Sequence, residues 1–314
     1  MAAAARKLGV FALSLLLASV LIFAVLNALP GSVAHTILGV DATPEAVAAL
    51  EARLGLDRPW PVRYVEWMAG MLTGDFGTSP LNGHSVLELI GPGIPVTAWL
   101  VGLGIIGSIL IALPLGMVAA LRRRSWEGVA ISAAAELGMA VPVFWGGIIL
   151  ALVFAIELRW LPPNGYVPFT TDAGEWLRHM VLPVGTLALV QAAVLTRYVR
   201  SAFIEVLTQD YYRTARALGW TPLRALFRHG VRNAAMSLVT VVGLQLSASL
   251  VGAIVVERVF NLHGLGSILI DNVFQRDIAV VQATVMLLVL AVLVINLVVD
   301  LSYGLIDPRQ RGRR

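Results

Sequence analysis

Six long apolar runs decide what this chain can become. Leu8 to Leu29 follows Arg6-Lys7 and is apolar except for Ser14, Ser19 and Asn27; Ile94 to Leu121, Gly128 to Ile156, Val181 to Val199, Ala234 to Val256 and Ile278 to Ile306 come after it. Each approaches or exceeds the ~20 residues that a helix needs to cross a ~30 Å hydrocarbon core. Among 314 residues, 58% are hydrophobic and only 13% charged, too few charges for a soluble domain of this size. The expected fold class is therefore all-α integral membrane, with six transmembrane helices. For the first run a cleaved signal peptide is the alternative, with Ser32-Val33-Ala34 as a passable cleavage site. The run is longer than the roughly 7–15 apolar residues of such segments, so it is read as helix one.

The net charge of +4 is mild, but its distribution sets the topology. Arg6, Lys7, Arg122 to Arg124, Arg197, Arg200, Arg213, Arg216, Arg224, Arg228, Arg232, Arg309, Arg311, Arg313 and Arg314 make sixteen of the 23 basic residues, and all fall on one side of the six spans. Basic residues stay in the cytoplasm, so both termini are inside. Four segments follow: an N-terminal transmembrane helix over 1–30, an extracytoplasmic helical segment over 31–93, a five-helix core over 94–306 with a cytoplasmic loop at 200–233, and a basic tail over 307–314. The outer segment carries Asp41, Glu45, Glu51, Asp57, Glu66, Asp75 and Glu88. Thr43-Pro44 opens a capped helix from Glu45 to Leu54 that Gly55 closes. Trp60, Tyr64, Trp67 and Met71 share one face of a second, amphipathic helix suited to the bilayer interface or the top of the bundle.

No catalytic constellation is present. Lys7 is the only lysine and no Gly-Lys-Ser/Thr follows a glycine-rich loop, so the chain cannot carry the usual ATPase site. Gly102-Leu103-Gly104-Ile105-Ile106-Gly107 matches G-x-G-x-x-G, but it lies inside an apolar span and is read as small residues that let helices pack closely. Without cysteine there is no disulfide, thiolate metal site or thiol nucleophile. His35, His84, His179, His229 and His263 lack metal-binding spacing. Pro142 is expected to kink the third span, where Glu136 is an ionisable residue about two turns from the cytoplasmic end, either a partner for a helix-end arginine, a protonated acid or part of a substrate path. Asn296 and Asp300 lie one turn apart and are expected to bond each other or the bundle interior.

The longest polar insertion in the second half runs from Asp210 to Asn233, with Arg213, Arg216, Arg224, Arg228 and Arg232 against the single acid Asp210. Tyr211 to Leu218 is helix-tolerant and stops at Gly219, which suits a left-handed cap; Thr221-Pro222 then supplies a cap and first-turn proline for a second helix. Two short helices with a sharp joint are expected on the cytoplasmic face. Resting on anionic headgroups is the simplest use of such a basic segment.

Asp210-Tyr211-Tyr212-Arg213-Thr214-Ala215-Arg216-Ala217-Leu218-Gly219 resembles the EAA loop of bacterial ABC importer permeases, in the version found in the dipeptide, oligopeptide and nickel permease family. The likeness continues in Asp57-Arg58-Pro59, Gly74 to Ser79, Pro95-Val96-Thr97, Trp160 to Tyr166, and Glu257-Arg258-Val259-Phe260-Asn261-Leu262-His263-Gly264-Leu265-Gly266. It departs where Leu218 replaces a frequent basic residue and Arg213 the glutamate of the general motif. The resemblance implies a type I ABC importer permease in the bacterial cytoplasmic (inner) membrane. Its partners would be a second, usually different permease, two ATPase subunits or domains that hold the ATP and Mg, an outer solute-binding protein and membrane lipid, with no nucleic acid. This chain would bind no cofactor and no metal. Asp210, Tyr211, Arg213, Thr214, Ala215, Arg216, Ala217 and Gly219 would couple it to the ATPase; Glu257, Phe260, Gly264, Leu265 and Gly266 would face the binding protein. Peptide is the cargo most frequent in the family, and nickel or another small solute is the alternative. Outside the resemblance, an ion-coupled secondary transporter using Glu136 and Asp300, or a scaffold that moves nothing, is the rival reading.

Overall fold

A helix satisfies its own backbone, which is why long apolar segments take no other open form in hydrocarbon. The computed structural model describes residues 2–28, 33–39 and 42–306, and among them no strand forms, only one isolated bridge between Thr78 and Ser85. The basic tail over 307–314, with Arg309, Arg311, Arg313 and Arg314, lies outside the described residues. In chain order the helices are α1 (Ala2–Ala28), α2 (Val33–Leu38), α3 (Pro44–Arg53), α4 (Trp60–Thr73), α5 (Val86–Ile90), α6 (Gly93–Leu121), α7 (Trp126–Ala140) and α8 (Val143–Ala151), which runs on as a π-turn over Leu152–Glu157. They continue with α9 (Ala173–Thr208), α10 (Asp210–Ala217), α11 (Pro222–Ala225) with a π-turn over Leu226–Gly230, α12 (Val231–Val259), α13 (Leu265–Gln275) and α14 (Ile278–Ile306). Among the described residues, five helices are long and apolar enough to cross a membrane, and six spans result if α7 and α8 count as one.

Two compact units emerge. The first comprises the described residues of Met1–Val96 and His263–Val294. In it Thr43 caps α3 by accepting the Ala46 N–H at 3.3 Å, and Gly55 takes φ +68°, as the turn requires. The aromatic face of α4 closes on α1: Phe23 lies edge-on to Trp60 and Tyr64 with centroids 5.4 and 5.5 Å away, and the Tyr64 and Ser19 hydroxyls are 2.8 Å apart. Arg63 donates to Asn27 of α1, and partial burial pulls its guanidinium below the usual arginine range. Val86, Ile90, Leu265, Val280 and Ala283 form a second core, and Ser79 donates to the buried carboxylate of Asp277, which also accepts the Val280 N–H at 3.3 Å. The outer segment thus shares a core with α13 and the start of α14. Helix α13 was not foreseen; it fills part of what read as an outer loop after Gly266.

The second unit comprises the described residues of Thr97–Leu262 and Ile295–Arg314. Its packing depends on small residues of α6. A Cβ on Gly104 would sit 2.8 Å from Leu187 Cδ2, one on Gly107 3.0 Å from Ala188 Cβ, and one on Gly116 2.5 Å from Val199 Cγ1. Gly104 and Gly107 of the G-x-G-x-x-G stretch therefore form a seam against α9, whereas Gly102 meets nothing within 4 Å. Gly116→Leu is expected to force α6 from α9 and destabilise the chain by about 1–3 kcal/mol, the usual cost of overpacking; thermal unfolding in detergent measures it. Asn296 accepts a 3.5 Å hydrogen bond from Ser247 of α12, so it joins α14 to a neighbouring helix.

Two spans differ from expectation. Helix α9 begins at Ala173, within the stretch read as an outer loop, because Asp172 accepts the N–H groups of Gly174 and Glu175 at 2.8 and 3.0 Å and starts the helix early. The third span is not one kinked helix. Helix α7 ends at Ala140, Val141-Pro142 is extended, and α8 leaves at 102° to it. Proline lacks the N–H that would continue the ladder, and its ring disfavours the helical conformation of the residue before it; Pro114 and Pro183 are nonetheless accommodated inside α6 and α9.

Candidate functional site

Gln209 leaves the helical region at ψ 148°, which ends α9 and lets α10 start in a new direction. Of the eight residues of α10, Tyr212 and Ala215 are buried among Phe203, Val206, Ala225 and Leu226, while Arg213, Thr214, Arg216 and Ala217 are exposed. Asp210 is exposed and lies 3.6 Å from Arg213, an ion pair of little energetic weight in water. Tyr211 is half-buried against the same core. One face thus anchors the helix to α9 and the other is offered to solvent.

Gly219 makes the joint. It adopts φ +84°, its N–H reaches the Arg216 carbonyl at 3.1 Å, and the Trp220 N–H reaches the Ala215 carbonyl at 3.2 Å. This paired closure is the Schellman ending, and it satisfies the carbonyls at the end of α10. Arg216 reaches back to the Trp220 carbonyl, and the Arg224 guanidinium stacks 4.7 Å from the Trp220 ring centroid. Thr221 caps α11 through the Arg224 N–H at 3.4 Å. The second short helix is not separate: Leu226, Gly230 and Val231 are all right-handed helical, so α11 passes through a π-turn into α12. The loop is an elbow with one joint, and its far arm is the cytoplasmic end of the fifth span. Leu218, Leu223 and Phe227 are each at least half exposed, at 74%, 54% and 50%. That apolar surface, set among arginines, fits a partner better than open water.

On the outer side the sequence singled out residues that turn inward. Glu257 and Phe260 are 0% and 1% exposed, and Gly264, Leu265 and Gly266 are buried as well. Glu257 accepts a 2.6 Å hydrogen bond from Thr97, and the Phe260 carbonyl accepts the Gly165 N–H at 3.0 Å. Phe260 also packs on Gly147, where an added Cβ would lie 3.2 Å from its ring. Two of the motifs that carry the resemblance, Trp160 to Tyr166 and Glu257 to Gly266, therefore meet. These side chains are anchors and present no docking face; Arg258, Asn261 and His263 are the exposed members of that stretch. Beside them, partial burial raises the Tyr166 phenol above its ordinary value. Glu136 lies on the exposed side of α7.

The chain is a multi-pass helical membrane protein with a glycine-stopped elbow between two of its spans. Residues 112–312 match the model of the binding-protein-dependent transport system inner membrane component, and residues 3–98 match the N-terminal model of the same transport system membrane component; the chain belongs to this family. A Sinorhizobium fredii protein named as a peptide ABC transporter permease is 37% identical over 292 residues, 93% of each chain. A Salmonella typhi protein named as a glutathione transport system permease is 39% identical over 306 residues, covering 98% of this chain and 97% of the other. Among solved structures, an inward-facing MetNI methionine ABC transporter chain superimposes with a TM-score of 0.59 at 18% identity, over 70% of this chain and 97% of that one, which shows the fold.

Proposed function

We propose that this chain is a transmembrane permease subunit of an ATP-driven importer in the bacterial cytoplasmic membrane, and that it passes di- or oligopeptides delivered by a solute-binding protein. The observation that carries the reading is the elbow. Helix α10 offers Arg213, Thr214, Arg216 and Ala217 outward while Tyr212 and Ala215 hold it to the core. The names of the relatives support peptide cargo, glutathione being itself a tripeptide.

The geometry suggests how force would travel. An ATPase pair that closes on ATP would pull on the exposed face of α10. Because α10 is packed on α9, and α11 continues into α12, both spans would have to follow. Two conformations biased by a ligand bound to another subunit are what such coupling requires. A second permease, two ATPase subunits carrying ATP and Mg, and a binding protein complete the proposed assembly. Arg258 and Asn261 are the side chains that the outer end of α12 offers to that binding protein.

A photoreactive amino acid at Ala217 tests the docking. The expected adduct, identified by mass spectrometry after irradiation of native membranes, is with an ATPase subunit. Adducts with lipid alone would return the loop to a role on anionic headgroups.

A further inference from the structure

We propose that the second arm of the elbow carries a binding site for the headgroup of an anionic phospholipid, held between Arg224 and Arg228. Trp220, Arg224, Phe227 and Arg228 line a cavity of about 590 Å³. Two guanidiniums enter this lining and no carboxylate does, and among the described residues neither arginine forms an ion pair. A concave surface with two uncompensated cations selects an anion, and the forked donors of arginine suit phosphate. Arg224 is already positioned for it, because its guanidinium lies over the Trp220 ring, 4.7 Å from the centroid. Stacking occupies the face of a guanidinium and leaves its in-plane N–H donors for a ligand.

Phosphate reaches such a site in solution or on a lipid, and three features favour the lipid. Leu223 and Phe227 are 54% and 50% exposed and, like Arg224 and Arg228, stand four positions apart, so an apolar stripe runs beside the basic one. That pairing matches an amphiphile, with its phosphate on the arginines and its acyl chain on the leucine and phenylalanine. The arm also leads without a break into a membrane span: the chain stays helical from Pro222 into α12, and Arg228 stands six residues before Ala234, where the apolar run of the fifth span begins. At about 1.5 Å per residue that is roughly 9 Å, which a long arginine side chain bridges to the headgroup layer. Finally, the face of α10 that the importer reading assigns to the ATPase lies beyond the Gly219 joint and contributes no residue to the cavity. One arm of the elbow is thereby left for the ATPase and the other for the membrane surface.

The test is native mass spectrometry of the complex that co-purifies with this chain, delipidated and titrated with phosphatidylglycerol, phosphatidylcholine or inorganic phosphate. Arg224→Gln/Arg228→Gln is expected to weaken phosphatidylglycerol binding about tenfold or more and to leave phosphatidylcholine binding unchanged. Both arginines are exposed, so the core stays intact and the unfolding midpoint is expected to match that of the wild type. Arg123→Gln/Arg124→Gln removes the same charge from another exposed stretch of the cytoplasmic side and is expected to bind phosphatidylglycerol nearly as the wild type does. Undiminished phosphatidylglycerol binding in the first double variant, or an equal loss in both, overturns the inference. Inorganic phosphate that displaces phosphatidylglycerol from the wild type gives the cavity to a soluble anion instead. Binding by this chain alone that vanishes in the complex gives it to a partner subunit, and also overturns the lipid site.

Discussion

Gly219→Val is expected to abolish solute uptake while the protein still inserts and assembles. Nothing lies within 4 Å of where a Cβ would stand, so the effect is not steric crowding. It comes from the backbone: φ is +84°, and a β-branched residue there loses on the order of 1–2 kcal/mol or more against its preferred regions. To relieve that strain the residue leaves the left-handed region and releases the two closing bonds to Arg216 and Ala215. The exposed face of α10 then no longer holds a fixed angle to α11 and α12. Gly219→Asn is the informative control, because asparagine tolerates this conformation and is expected to retain most of the uptake. ATP hydrolysis that persists without transport identifies the defect as uncoupling. Full uptake in the valine variant would remove the joint from the mechanism.

Glu257→Ala is expected to cost about 1–3 kcal/mol of stability, since it removes the acceptor for the buried Thr97 hydroxyl and leaves space where the side chain was. The contact ties the outer end of α12 to the start of α6, across 160 positions of sequence. Glu257→Gln keeps a carbonyl acceptor and should recover much of the loss. A lower unfolding midpoint for alanine than for glutamine supports the anchor. Equal midpoints, with loss of binding-protein stimulation alone, would return Glu257 to an outward-facing role.

The spans were legible because hydrocarbon admits few solutions: an apolar run of sufficient length has to be a helix. The elbow was legible for a different reason. Gly219, Thr221 and Pro222 each have a conformational preference strong enough to act locally, and each does what its chemistry favours. What escaped the sequence depends on partners far along the chain. Pro142 announced a bend, but its size follows from how α8 settles beside α9 and how Gly147 meets Phe260. Glu257 was expected to face the binding protein, and nothing near it in sequence shows that Thr97 donates to it. The continuation of α11 into α12 was hidden by Gly230, which reads as a helix breaker yet stays helical where it packs on Val206 and Leu226. Helix α13 had a signal in Leu265, Ile268 and Leu269, an apolar stripe at helical spacing behind Gly264, in a region where the motif drew attention to the turn instead.

The source of energy separates an importer subunit from every rival. The decisive measurement is peptide uptake into proteoliposomes holding the complex that co-purifies with this chain, with its binding protein present, with and without ATP inside the compartment that α10 faces. ATPase subunits and a second permease should be recovered, and uptake should require ATP and stop in Gly219→Val. Uptake by this chain alone, driven by an ion gradient without ATP, would overturn the importer reading.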